Sequence, residues 1–203
     1  MTTGKPWVRL KTAVTLDGRT ALYNGASRWI TSEEARRKGR LWRARAQGIL
    51  TGIGTVLADN PQMSVREEKL PSPVKYVADS QALTPVTFNI LQGQPTTIFV
   101  SDTAPQARVD ALVAAGATVR CVGGSEGLDL EEIIRQIGRD EINELHVEAG
   151  ATLSGALLDA DLVDEGMPFA KLGPFKEMSE VLRGRFVSFE KVGDDLEVVL
   201  RKN

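Results

Sequence analysis

The amino-acid sequence predicts an α/β domain: a mostly parallel central sheet flanked by helices, with a C-terminal antiparallel hairpin. Three observations carry that prediction. Short apolar runs alternate along the chain with stretches of helical period, the pattern of strands joined by crossover helices. Small and hydroxyl-bearing residues gather where those runs end, as at the ligand-binding edge of an open parallel sheet. The final segment breaks the alternation, because "RFVSFEKV" and "DLEVVLRK" are joined only by the turn sequence Gly193-Asp194-Asp195.

Taken in order, the first strand spans Trp7 to Thr15, with Val8, Leu10, Thr12 and Val14 on one face and Arg9, Lys11 and Ala13 on the other. Leu16-Asp17-Gly18-Arg19 reads as a turn, since Asp-Gly accepts the positive φ that tight turns need. Thr31 and Glu34 form a capping box, and the helix they open runs to about Arg45. Ala35, Gly39, Trp42 and Ala46 share one face of it, while Arg36, Arg40 and Arg43 lie along a neighbouring face. A short strand from Gly48 to Thr51 leads into Gly52-Ile53-Gly54, "TVLADNP" and a loop punctuated by Pro61, Pro71 and Pro73. Strands follow at about 74–78, 96–100, 118–122 and 144–148, and helices at about 106–115, 129–137 and 152–160. Residues 164–180, "DEGMPFAKLGPFKEMSE", hold no clear period where such a sheet needs a further strand.

Composition narrows function by exclusion. The 203 residues suit one large domain or two small ones, with enough chain for a real core. A net charge of −2 points to no polyanionic partner. No apolar run approaches a membrane span, and "MTTGKPWVRLK" lacks the apolar centre of a signal peptide, so the expected compartment is the cytoplasm. The single cysteine, Cys121, excludes an internal disulfide and, within "ATVRCVGG", is expected to be a buried, inert thiol. The single histidine, His146, reads as a packing residue, so neither a metal site nor a Ser-His-Asp triad is expected. Acid–base work then falls to carboxylates, lysines, or a cofactor and substrate. The cations Arg28, Arg36, Arg37, Lys38, Arg40, Arg43 and Arg45 form a solvated helix face or a site for a small phosphorylated ligand, with nucleic acid a third reading.

The strand ends supply the candidate site: Gly52, Gly54 and Thr55; Asp79 and Ser80; Ser101 to Thr103; and Glu148 to Gly155. "LHVEAGATLSGALL" stops an apolar run on Glu148 and hands over to a glycine- and hydroxyl-rich turn at a helix mouth. Backbone N–H groups and the positive helix end can face an anion there; a plain strand-to-helix turn is the alternative. Asp79 reads as a turn residue, or as a partner for a ribose 2′-hydroxyl. Lys11, in mid-strand and away from the aliphatic face, needs a partner, and Glu148 is the natural one unless the lysine lies at a sheet edge.

These residues fall within three long motifs, "VRLKTAVTLDGRTALYNGASRWITSEEAR", "ILTGIGTVLADNPQMSVR" and "HVEAGATLSGALLDADLVDE". In that order they closely resemble the reductase domain of the bacterial bifunctional riboflavin-biosynthesis deaminase-reductases, from about residue 5 to 165 and more weakly in the hairpin. The resemblance implies a dihydrofolate-reductase-like fold, a homodimer, and NADPH-dependent reduction of 5-amino-6-(5-phosphoribosylamino)uracil, with hydride reaching C1′ of the ring-opened ribose. It implies cofactor contacts from Ala13, Trp29, Thr55, Asp59, Ser80 and the turn Gly150, Ala151, Thr152, Leu153, Ser154, Gly155 and Ala156. It implies substrate contacts from Ser27, Arg43, Met63, Arg66 and Glu148, the two arginines being suited to clamp a 5′-phosphate. Lys11, Asp17 and Glu148 are the implied catalytic residues, with Lys11 orienting or protonating the opened sugar.

Two departures from the family matter. The H-x-E and P-C-x-x-C motifs of its zinc deaminase half do not occur in this sequence, and "MTTGKPW" resembles the segment that joins the halves. The expected arrangement is one reductase domain over residues 1–203, working with a deaminase domain elsewhere. After Asp164-Glu165 the family's apolar strand and loop are shortened to "GMPFAKLGPFKEM", an apparent loss of roughly fifteen to twenty residues, enough for one strand and a connection. Omission of a segment is favoured over real deletion, because losing a core strand would expose its neighbours. Two further readings stand beside the riboflavin reductase: a dihydrofolate-reductase-like enzyme for another substrate, and an NADP-binding or assembly domain without catalysis.

Overall fold

Among the described residues, alternating strands and helices build a nine-stranded sheet covered by helices on both faces. The computed structural model describes residues 4–15, 19–23, 29–66, 69–123, 127–166 and 184–202. Its strands are β1 (Trp7–Leu10), β2 (Gly48–Gly52), β3 (Val74–Ala78), β4 (Thr96–Val100), β5 (Thr118–Cys121), β6 (Glu144–Val147), β7 (Glu165–Gly166), β8 (Gly184–Val192) and β9 (Asp195–Lys202). The helices are α1 (Glu33–Arg45), α2 (Ile53–Asp59), α3 (Gln106–Ala114), α4 (Leu130–Arg139) and α5 (Ala151–Asp159). Among the described residues the sheet order is β5-β4-β3-β2-β6-β1-β7-β9-β8. Pairing is parallel from β5 to β7, and antiparallel for β7 with β9 and for β9 with β8.

The two faces follow from strand alternation. On one, Val8, Leu10, Leu50, Leu145 and Val147 pack against Ile133, Ile134 and Ile137 of α4 and Leu157 of α5. On the other, Ile49, Val77 and Ile98 pack against Val56 of α2 and Leu112 of α3. In α4, Asp129 Oδ1 accepts the Glu132 N–H at 2.9 Å, and Gly138 lies so close to the Gly4 carbonyl that any Cβ would collide. In α1, Glu33 and Glu34 occupy the first turn and Arg43 and Arg45 the last, matching the helix dipole at both ends.

The second face turns polar over the central strands. Register places Arg9 beside His146 on one side and Glu165 on the other, and Glu165 beside Arg201. Arg9 and Glu165 are both buried. Glu165 accepts from Arg9 Nε at 2.6 Å and from Arg201 Nε at 2.7 Å, and Glu144 accepts from Arg9 Nη1. The Arg9 guanidinium stacks 4.5 Å from the Trp42 ring centre on α1, and Trp42 Nε1 donates to Glu197 of β9 at 2.8 Å. Lys38 bonds both Glu190 and Glu197, so the sheet, α1 and the hairpin are tied by one charged network. Farther out on this face, the buried Lys75 donates to the carbonyls of Ile90 and Gln92.

Most expected elements are present within a residue or two, the hairpin included, and the differences have physical causes. The first strand ends at Leu10, because its neighbours run out: β6 stops at Val147 and β7 is two residues long. The turn at residues 16–18 lies outside the described residues, although Thr15 N–H bonds the Arg19 carbonyl across it at 2.9 Å. The cap of α1 is Ser32, whose Oγ accepts the Ala35 N–H, in place of Thr31. Asp195 Oδ2 receives the Ser32 N–H at 2.6 Å and fixes that choice from the hairpin turn. "IGTVLAD", to which the sequence pattern assigns no element, is the helix α2; it closes on Asn60 in the left-handed region (φ 43°), with its N–H on Val56 O. Cys121 is exposed rather than buried, since it ends the edge strand β5. At 165–166 the chain adds β7 next to β1, and residues 167–183 lie outside the described residues.

Replacing Glu165 by Ala leaves Arg9 buried with Glu144 as its remaining carboxylate partner. Urea unfolding is expected to show a loss of about 3 kcal/mol, the lower end of the cost of breaking a buried pair. Glu165→Gln, which keeps the shape and one acceptor, should lose less.

Candidate active site

The candidate site forms where the polar face runs out at the strand ends. Glu148 follows β6 directly, and its N–H still bonds the Leu50 carbonyl at 3.0 Å, so its backbone is fixed by the sheet. Its side chain shares a face with His146, two positions back along the strand. Arg43, near the C-terminal end of α1, grips that carboxylate with two prongs, Nε to Oε1 at 2.7 Å and Nη2 to Oε2 at 2.8 Å. Its Nη1 donates to the Ser64 carbonyl at 2.9 Å, pinning the loop after α2. His146 Nε2 stands 3.2 Å from Glu148 Oε1.

Burial alone would raise the pKa of Glu148. The facing Arg43 charge and its hydrogen bonds, with smaller help from His146 and the Lys11 charge, overcome that and hold the carboxyl well below its ordinary range. For Arg43, burial works against the charge, but Glu148 outweighs it and the guanidinium pKa is raised. Lys11 stands on the same face and contributes to this field, yet makes no ion pair with Glu148 within 4 Å; the pairing expected for Lys11 is made by Arg43.

Behind Glu148, the expected cofactor residues Thr55 and Gly150 come together, with Gly150 N–H donating to Thr55 Oγ1 at 3.1 Å. Gly150 is the N-cap of α5 and brings no capping side chain, so the N–H groups of the first turn are left to other acceptors. A side chain at Gly52 would press on Leu153 at 3.3 Å, so bare backbone is needed where β2 passes the turn. Within the turn Ser154 and Gly155 are buried, Ser154 Oγ donating to the Ala149 carbonyl, while Gly150 and Thr152 are exposed. Asp79 is wholly committed to its own turn: Oδ1 accepts Leu83 N–H, and Oδ2 accepts both the N–H and the hydroxyl of Thr84. Ser80 lies two residues beyond β3, beside Ser101, whose N–H and Oγ both donate to the Ser80 carbonyl.

The remaining candidates are dispersed around this centre. Lys11 and Ala13 line a groove of about 780 Å³, open to solvent, together with His146, Trp42 and Leu196. Trp29 is exposed beneath the Arg36 guanidinium, 4.2 Å from its ring centre, and Asp59 is exposed at the end of α2. Met63 is buried in the second core with φ at 55°, and Arg66 is exposed with φ at 63°. Asp17 and Ser27 lie outside the described residues. The cationic stretch of α1 is largely consumed by partners, with Lys38, Arg43 and Arg45 all paired to carboxylates. Among the described residues no cluster of His, Cys, Asp and Glu could hold a metal. Sequence reasoning missed His146 as a partner of Glu148, although their spacing along one strand face carries that signal. Nothing in the sequence marked the Ser64 carbonyl.

The chain belongs to the RibD C-terminal domain family, whose model matches residues 6–169. It is 40% identical over 181 residues to the Escherichia coli riboflavin biosynthesis protein RibD, covering 81% of this chain and 48% of that protein. It is 39% identical over 165 residues to the 2,5-diamino-6-ribosylamino-4(3H)-pyrimidinone 5′-phosphate reductase of Methanothermobacter thermautotrophicus, covering 79% of this chain and 75% of that one. The crystal structure of the diaminohydroxyphosphoribosylaminopyrimidine deaminase/5-amino-6-(5-phosphoribosylamino)uracil reductase of Thermotoga maritima superposes with a TM-score of 0.81 at 26% identity, over 100% of this chain and 58% of that one. The chain thus spans less than two thirds of the E. coli and Thermotoga proteins.

The depressed carboxyl of Glu148 contributes stability above the unfolded-state pKa, which is lost as pH falls through the folded-state pKa. In Arg43→Met that contribution disappears along with the two-pronged bond. Urea midpoints are expected to show the variant less stable by about 2 kcal/mol at neutral pH. The two curves should converge as the pH is lowered into the acid range.

Proposed function

We propose that the chain reduces 5-amino-6-(5-phosphoribosylamino)uracil with NADPH, a step of riboflavin biosynthesis. The observation that carries this reading is the Arg43–Glu148 pair, held at the strand ends with Lys11 on one side and the Thr55–Gly150 turn on the other. The names of the relatives support it: the Thermotoga protein is a reductase of this aminouracil, and the Methanothermobacter protein a reductase of the diaminopyrimidinone that differs from it in bearing an amino group at ring position 2.

The turn fits a dinucleotide. Its first-turn N–H groups lack a side-chain cap and its exposed residues, Gly150 and Thr152, are small, while Gly52 lets the turn pack close on β2. Thr55, Ser80 and Gly150 to Ala156 would hold the cofactor, with Ala13, Trp29 and Asp59 around it. Bound NADPH supplies the hydride that reaches C1′ of the ring-opened ribose.

The chain's own residues bind and orient. A guanidinium carries five N–H donors, and Arg43 spends three on Glu148 and Ser64, so two remain for a 5′-phosphate without releasing the carboxylate. Arg66, exposed on the same loop as Ser64, would add a second fork. Glu148, kept ionised, accepts from hydroxyl or N–H groups of the substrate. Lys11 donates the proton that turns the C1′ imine nitrogen into an amine. Asp17 and Ser27 complete the proposed contacts by resemblance alone.

The reading extends to a homodimer in the cytoplasm, with deamination supplied by another domain. The edge strand β8 exposes Phe186 and Phe189, which supports self-association, and no described helix is long and apolar enough to cross a membrane.

NADPH oxidation is to be followed with the aminouracil, the diaminopyrimidinone and dihydrofolate in parallel. Turnover of the aminouracil above the other two is expected; dihydrofolate turnover alone, or NADPH binding without turnover, would replace the reading. Lys11→Ala should lower kcat by about a hundredfold.

A further inference from the structure

His146 has no part in the reading above. It is the only histidine in the chain, sits within β6, and is fully buried on the polar face. Its chemistry is constrained from both ends of the ring. Nε2 faces Glu148 Oε1 at 3.2 Å, and both oxygens of that carboxylate already accept from Arg43. An ionised carboxylate only accepts, so the ring nitrogen turned toward it must carry the hydrogen. In the neutral ring Nδ1 is then the bare nitrogen, and Nδ1 is buried with no hydrogen-bond partner among the described residues.

Mechanically, the two-pronged grip of Arg43 leaves one freedom. A fork holds two oxygens in one plane, but the pair still tilts with the guanidinium, which is tied to α1 and, through Nη1, to the Ser64 carbonyl rather than to the sheet. A third donor from another element removes that tilt. His146 comes from the sheet itself, and its ring is immobilised by burial.

We infer that His146 is a positioning residue, whose Nε2–H fixes the Glu148 carboxylate against Arg43 so that its remaining lone pairs face the substrate. This rests on the reductase reading for its functional consequence, but not for its chemistry. Glu148 is thereby referred to the strand rather than to α1. His146 also lines the groove beside Lys11 and Trp42.

Because the chain has one histidine, 15N-histidine labelling reports a single imidazole. The NMR spectrum at neutral pH is expected to show a proton on Nε2; a bare Nε2 overturns the inference. In the kinetic arm, His146→Gln places an amide N–H at about the reach of Nε2, whereas His146→Asn reaches only the position of Nδ1. The kcat/KM for the aminouracil is expected to fall about tenfold or more in His146→Asn and to stay within about threefold in His146→Gln, the scale of one hydrogen bond to a charged group. Equal losses in the two amides would show that the ring only fills space, and would overturn the positioning role. The NMR arm needs no substrate, so a chain without reductase activity would sink the functional reading while the tautomer result stood independently.

Discussion

A strand at the centre of a parallel sheet is covered on both faces, and such strands are ordinarily apolar throughout. Here β1 and β6 break that rule on one face, which carries Arg9, Lys11, Glu144, His146 and, at the strand end, Glu148. Much of the surrounding structure answers the cost of placing those groups out of water. β7 brings Glu165 to Arg9, β9 brings Arg201 to Glu165, and α1 brings Trp42 over Arg9 and Arg43 to Glu148. The hairpin is bound to α1 by Glu190, Glu197 and Asp195. The opposite face of the same strands, with Val8, Leu10, Leu145 and Val147, carries the apolar burial that holds the sheet together.

That division of labour explains where the candidate site lies. The ion pairs are satisfied by protein groups along most of the polar face, but at the strand ends the protein partners thin out. Lys11 lines the open groove there, and the Arg43–Glu148 pair stands next to a turn of small residues at the mouth of α5. A phosphorylated, hydroxyl-rich substrate and a dinucleotide are the kinds of molecule that such an edge can serve, one on each side of Glu148.

The legible parts of the fold were those set by local pattern. β3 and β4 fall at the residues expected, because apolar runs bounded by proline or glycine have little else to become. α2 was lost to its flanking glycines and to a length that buries only Val56. Cys121 was misplaced because sequence cannot tell an edge strand from a central one. Long-range choices were the least legible. The cap at Ser32 is decided by Asp195, 163 residues away, and the partner of Glu148 is Arg43, 105 residues away. Glu148 itself stood out because an apolar run rarely stops on a carboxylate. Arg43 was singled out for a phosphate, and its grip on Glu148 was invisible until α1 was laid across β6.

The central claim is that this edge delivers hydride to C1′ of the opened ribose while Arg43, Glu148 and Lys11 hold and protonate the substrate. The most direct measurement is the fate of the label when the chain is supplied with NADPH deuterated at the transferring position of nicotinamide C4 and with the aminouracil. The account predicts a ribitylamino product carrying one deuterium at C1′. Oxidation of the deuterated cofactor with no label at that carbon would contradict it.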